Sequence, residues 1–215
     1  TSAWLHHVPG SFDVNEATKR DVDWMKQLAS SQLSLITLLA DNQIDFDLGD
    51  EFIMRELGAA DDGKIRVGER AYDVVVVPEM MENVIASTPE LLRAYLAGGG
   101  TVLALGEAPR YVDGRSSDAV AVLTTEHPDR WLRVGGRNEL LKRIEEIAPP
   151  RVVPVDGTGI PPGVSILRRE LDDGRVVLAF ANPFEREVDA RVRIEGKGLY
   201  ELDTTTGNAC AVKTT

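Results

Sequence analysis

Two glutamates occupy positions where an α/β sheet can do chemistry. Tyr72-Asp73-Val74-Val75-Val76-Val77-Pro78 and Thr101-Val102-Leu103-Ala104-Leu105 are uninterrupted apolar runs, the pattern of strands buried on both faces of a parallel sheet. Glu79 follows the first run after Pro78, and Glu107 follows the second after Gly106. Both are expected at the carboxyl edge of the sheet, where open α/β folds bind ligands. Glycoside hydrolysis needs two carboxyl groups, about 5–5.5 Å apart for retention or about 6.5–9.5 Å for inversion. Further acids stand at Asp45, Asp47, Asp50, Glu51 and Glu82. Asp45 and Asp47 share one face of a short alternating segment and read as a solvated edge.

A second candidate group is Trp4, His6 and His7 near the start. An exposed Trp4 would offer a face for stacking a pyranose ring. His6 and His7 are adjacent, so their side chains diverge in an extended chain. His127 is the only other histidine, which leaves no metal-ligand spacing. The expected binding residues are thus Glu79, Glu107, Trp4, His6 and His7. No catalytic residue, no metal and no cofactor is expected. Gly98-Gly99-Gly100 follows a helical pattern and precedes a strand, the reverse of a phosphate loop, and reads as a helix stop.

These groups need a scaffold, and the pattern supplies one. Asp13 and Glu16 stand at capping-box spacing. From Val14 to Asn42 an apolar stripe of Val22, Met25, Leu28, Leu35, Ile36 and Leu39 predicts a long helix. Ile44–Leu48 alternates apolar and acidic residues and predicts a strand. A helix over Asp50–Leu57, a turn over Ala59–Gly63 and a strand over Lys64–Val67 follow. Ser87 or Thr88 with Pro89 opens a helix over Glu90–Ala97, giving a strand–helix–strand unit of right-handed crossover. Ala119–Leu123 is expected as a strand, and Asn138 as the cap of a helix over Glu139–Ile147. Beyond Pro149-Pro150 the texture changes to short β-rich runs at Val164–Glu170, Arg175–Ala181, Glu187–Ile194 and Gly198–Asp203. Asp172-Asp173-Gly174 is the clearest hairpin turn among them.

The fold expected is an α/β domain over residues 1–150 and a small antiparallel β-rich region over 151–215. At least four mostly parallel strands are predicted, with Val74–Val77 beside Val102–Leu105 and helices on both faces. The 215 residues carry 24 Lys and Arg against 35 Asp and Glu, a net charge of −11. That charge argues against nucleic acid and anionic membrane surfaces as partners. The single cysteine excludes an internal disulfide. Thr1–Gly10 has no basic start or apolar stretch of a signal peptide, so the cytoplasm is the compartment expected.

The middle of the chain resembles a known family. Asn42-Gln43-Ile44-Asp45-Phe46-Asp47, the valine strand and Leu96-Ala97-Gly98-Gly99-Gly100-Thr101-Val102 are similar to the class I glutamine-amidotransferase-like domain within large glycoside hydrolases, the β-galactosidase trimerisation domain being one example. Ser2-Ala3-Trp4 at the start, then Leu178–Pro183 and Gly198–Asp203, resemble the C-terminal half of bacterial α-L-rhamnosidase-type enzymes, with the β-sandwich that follows. The resemblance implies a flavodoxin-like three-layer α/β/α domain and a partial β-sandwich. It also implies that the catalytic barrel lies upstream and that this chain is an N-terminally truncated piece. The implied role is accessory: bracing that barrel or mediating oligomerisation. True amidotransferases carry a cysteine at the turn matching Leu105-Gly106-Glu107-Ala108, where a helix N-terminus lowers its pKa. Here Glu107 stands there, and Cys210 lies far along the chain, so no thiol chemistry is expected. The alternatives are a stand-alone ligand-binding or hydrolytic module using the acids at the sheet edge, and a sugar-binding module using the tryptophans, with carbohydrate as ligand. A first strand missing ahead of Ser2 would leave inner strands open, and a two-fold homo-oligomer is the expected remedy.

Overall fold

The computed structural model describes residues 16–150, 152–155, 159–194, 196 and 198–212. Trp4, His6, His7 and the Asp13 cap fall outside these residues. The chain divides into two compact units between Pro149 and Pro150.

The centre of the first unit is a parallel sheet of β4 (Val74–Val77), β6 (Thr101–Ala104) and β9 (Trp131–Arg133), in the order β4-β6-β9. Val74 pairs with Thr101 and Val77 with Ala104, while Val102 pairs with Trp131. The pleat sends alternate residues of β6 to opposite faces, and each face has its own core. Val102 and Ala104 pack with Leu92, Tyr95 and Leu96 of α3 (Ser87–Ala97) and with Val120 and Leu123 of α4 (Ala119–Glu126). Leu103 packs with Leu35 and Leu39 of α1 (Glu16–Asp41) and with Leu140 and Ile144 of α5 (Arg137–Ile147). All three β6 side chains are fully excluded from water. At about 25 cal/mol per Å² of apolar surface, such buried chains are the main favourable term of this unit.

The α3–β6 junction needs glycine at two positions, Gly99, which has φ +96, and Gly100. Gly99 and Gly100 bond back to the last turn of α3, to Leu96 and Tyr95 carbonyls. A Cβ on Gly100 would lie 2.1 Å from the Tyr95 ring. That ring is wholly buried, and its hydroxyl lies 2.9 Å from the carbonyls of Asp73 and Thr101. Burial pushes the Tyr95 hydroxyl pKa up.

Around this sheet sit two small ones. β1 (Gly58–Asp61), β2 (Lys64–Val67) and β3 (Arg70–Tyr72) form an antiparallel meander. β5 (Asn83–Val84), β7 (Tyr111–Val112) and β8 (Arg115–Ser116) form the other. A short helix, α2 (Glu51–Leu57), precedes β1 and is capped by Asp50, whose carboxylate accepts from the Phe52 and Ile53 amides.

Several expectations are corrected. Ala119–Leu123 is the start of helix α4, because Val120 and Leu123, three apart, both bury in the core. β9 follows it and went unpredicted. Ile44–Leu48 is extended without ladder hydrogen bonds, although Ile44 and Phe46 pack on the α1 side of the core. The described parallel sheet therefore has three strands, not four. Ala59–Gly63 is largely strand β1, with only Asp62-Gly63 turning. Helix α3 begins at Ser87 rather than Glu90, and α5 at Arg137 with Gly136 rather than Asn138 as its cap.

The second unit consists of antiparallel pairs. β10 (Val152–Pro154) pairs with β13 (Val192–Ile194), β11 (Ser165–Glu170) with β12 (Val176–Ala181), and β14 (Tyr200–Leu202) with β15 (Ala209–Ala211). The β11–β12 hairpin closes where expected. Leu171 and Arg175 end the ladder, and Asp172-Asp173-Gly174 forms a three-residue loop with Gly174 at φ +80, a type I turn followed by a left-handed residue. Asp173 accepts from the Arg175 amide and guanidinium, which holds its carboxyl below the usual range.

Candidate functional site

Three loops leave the carboxyl edge of the parallel sheet. The first, after β4, carries Glu79 and then Met80, a non-glycine residue at φ +61, a conformation that costs about 1 kcal/mol for an L-residue. The second, after β6, carries Gly106 and Glu107. The third, after β9, is Val134-Gly135-Gly136, which feeds α5. The first two loops touch: a Cβ on Gly106 would lie 3.5 Å from the Glu79 Cα. The expectation that Glu79 and Glu107 meet at one edge is thus met by adjacent loops.

Neither glutamate is free. Ser31 Oγ of α1 donates to Glu79 Oε2 at 3.2 Å, and Arg137 Nε lies 3.7 Å from Glu79 Oε1. Arg137 also donates through Nη2 to the Ser31 carbonyl at 3.3 Å and through Nη1 to Ser34 Oγ. Arg137 stands in the first turn of α5, where the helix dipole disfavours a cation; Glu79 and the two serines offset that. Glu139 Oε2 accepts from the Gly135 amide at 2.7 Å and covers one exposed donor of the same helix end. Glu107 is highly exposed and pairs with Arg133 at the end of β9. The edge therefore holds two arginine–glutamate pairs and two serines, drawn from α1, β9, α5 and two loops. Arg137 approaches Glu79 through Nε while its two Nη atoms bond Ser34 and Ser31, and Arg133 meets Glu107 through Nη1 alone. The arrangement is suited to holding loops and helices together.

A second polar contact lies near the start of α2. Glu51 is buried and accepts from the Ile85 amide at 2.9 Å and from Thr88 Oγ1 at 2.6 Å. It ties α2 to the segment that opens α3. Asp47, expected on a solvated edge, is exposed and accepts from the Tyr72 hydroxyl at 2.6 Å. Burial, then the Asp47 bond, pushes the Tyr72 pKa up to about 12. Ser31, Ser34, Arg133 and Arg137 were not anticipated as site residues, and Glu51 was singled out only as one of the further acids. For Arg137 the available signal was a cation at a helix start.

Trp24 is half-buried on α1. Cys210 is exposed on β15. Among the described residues, no three His, Cys, Asp or Glu side chains are grouped to hold a metal ion, and no helix is long and apolar enough to cross a membrane. Comparison of the chain with protein-family models, with curated proteins and with solved structures finds no match.

Proposed function

We propose that the chain is a non-catalytic accessory region of a glycoside hydrolase of the α-L-rhamnosidase type. In this reading residues 1–150 are a flavodoxin-like, glutamine-amidotransferase-like domain, and residues 151–215 are the start of a β-sandwich. The region braces a catalytic barrel carried elsewhere in the same polypeptide. The observation that supports this reading is the fate of the two edge carboxylates. Glu79 is engaged by Arg137 and Ser31, and Glu107 by Arg133, so each ties its loop to a neighbouring helix or strand. Glu107, moreover, stands at the turn where a thiol nucleophile would be needed, and a carboxylate there does not replace one.

The rival is a hydrolytic module that uses Glu79 and Glu107 directly. The two readings separate in one assay. The purified chain is expected to turn over neither glutamine nor an aryl rhamnoside. Turnover that Glu107→Gln or Glu79→Gln abolishes, with the fold intact by circular dichroism, establishes the rival instead.

A further inference from the structure

We propose that Asp62-Gly63 is a self-modification site, at which the aspartate closes to a cyclic imide and reopens as isoaspartate. Asp-Gly is the dipeptide that resists this reaction least, because glycine puts no side chain beside the attacking nitrogen. The chain holds Asp62-Gly63, Asp113-Gly114, Asp156-Gly157 and Asp173-Gly174. Asp156-Gly157 falls outside the described residues. The reaction needs a glycine amide nitrogen that can lose its proton and swing onto the aspartate Cγ. That requirement separates the three described pairs.

Asp62-Gly63 and Asp113-Gly114 are closely matched. Each forms the whole loop of a two-residue hairpin, β1–β2 or β7–β8, closed by Asp61 opposite Lys64 or by Val112 opposite Arg115. Both residues of each loop are left-handed, at φ +48 and +70 in the first and +49 and +73 in the second, as a type I′ turn requires. The dipeptide, the turn and the basic residue that follows are thus shared, and the tertiary contacts differ. The Gly114 amide donates to Oδ1 of the buried Asn83 at 2.8 Å. In the third pair the Gly174 amide donates to the Leu171 carbonyl at 2.9 Å, and the Asp173 carboxylate is held by the Arg175 amide and guanidinium. At Asp62-Gly63 neither group is held. Among the described residues the Gly63 amide donates to no acceptor, and the exposed Asp62 carboxyl has no hydrogen bond or ion pair. Lys64 and Arg66, the nearest cations along the chain, pair with Asp73 and Asp61 instead.

Water is the only other reactant. The Gly63 nitrogen gives up its proton and bonds to the Asp62 Cγ, and the carboxyl hydroxyl leaves as water. Water then adds back to one of the two imide carbonyls. Cleavage of the bond from nitrogen to Cγ restores aspartate; cleavage of the original peptide bond leaves the chain running through Cβ and Cγ. No atom is gained or lost overall. The product carries one more backbone carbon in a turn with little room, since a Cβ on Gly63 would lie 3.3 Å from the Gly98 carbonyl oxygen at the end of α3. Its free α-carboxyl suits a methyltransferase of the isoaspartate-repair class. The inference stands on these turns and is independent of the accessory role proposed above.

The purified full chain is aged at neutral pH and physiological temperature, then digested, and each Asp-Gly peptide is read by electron-transfer fragmentation, which tells isoaspartate from aspartate at equal mass. Isoaspartate is expected at 62 first. At 113 and 173, where a hydrogen bond must break beforehand, it is expected to accumulate about five-fold more slowly. In concentrated urea, where the turns are gone, the rates at 62 and 113 are expected to converge. Asp62→Glu, whose ring would be six-membered and far slower to close, is expected to lose the signal at 62 and keep those at 113 and 173. Equal accumulation at 62 and 113 in the folded chain overturns the proposal. So does a preference for 62 that persists in urea, or the absence of isoaspartate at 62.

Discussion

β6 and the β11–β12 hairpin are both written in Val, Leu and Ala, and they end in opposite environments. Val102, Leu103 and Ala104 are wholly buried, each face of the strand covered by helix side chains. In the hairpin, Leu167 is 65% exposed and Phe180 is 50% exposed. Every residue of both core clusters belongs to the first unit. A hydrogen-bonded ladder of good register is therefore not a core. An isolated two-stranded ribbon has two faces, and only a second layer can dry one of them.

Substitutions can break that contrast or sharpen it. Leu103→Ala empties the centre of the parallel sheet and is expected to cost about 3–4 kcal/mol in urea denaturation; a cost no greater than that of an exposed hairpin residue would erase the distinction drawn here. Gly100→Ala comes next. Its methyl must displace the Tyr95 ring, which is held by packing and by two carbonyls, and the expected loss is about 2–3 kcal/mol, read as a lowered Tm. Glu51→Ala leaves the Ile85 amide and Thr88 hydroxyl buried without an acceptor. It should cost about 1–3 kcal/mol, and Glu51→Gln, which keeps an acceptor oxygen, should recover most of it.

Smaller is the pH effect at Tyr72. The unfolded chain releases this proton near pH 10, whereas the folded chain keeps it to about 12. The stabilisation is thus fully present below pH 10 and is lost as pH rises from 10 toward 12. Tyr72 is only half-buried, so solvent screening keeps the loss below about 1 kcal/mol. Tyr72→Phe should flatten that part of the stability–pH curve, leaving the slope from Tyr95. Smallest of all is Phe180→Ala, expected within about 0.5 kcal/mol of the parent in the same denaturation series.

What could be read in advance follows the same divide between local and distant causes. The first two strands of the parallel sheet were legible because an unbroken apolar run of that length has few other homes. The glycine stop and the Asp-Asp-Gly turn were legible because backbone geometry there is set within three residues. Ala119–Leu123 reads as a strand because Val120 and Val122 favour strand locally, while burial of Val120 and Leu123 against α3 and the sheet decides for helix. Ile44–Leu48 alternates like a strand, but a strand requires a neighbour, and alternation does not supply one. At the candidate site, Glu79 and Glu107 could be placed from strand order alone. Their partners could not: Ser31 and Glu79 are 48 positions apart, and Ser31 and Arg137 are 106 apart. No local pattern links such residues.

That last separation also sets a timetable. During synthesis at roughly 5–20 residues per second, Ser31 is made roughly 5–20 s before Arg137. Through that interval Leu35 and Leu39 of α1 have neither Leu140 and Ile144 to pack on nor a latch to hold them. The β11–β12 hairpin waits for nothing beyond its own turn, and hairpins of its kind form in about 1–10 μs. In a nascent chain the stripe of α1 is consequently left partly uncovered until α5 is made, and shortening the chain ahead of Arg137 should make it more sensitive to protease than the full chain.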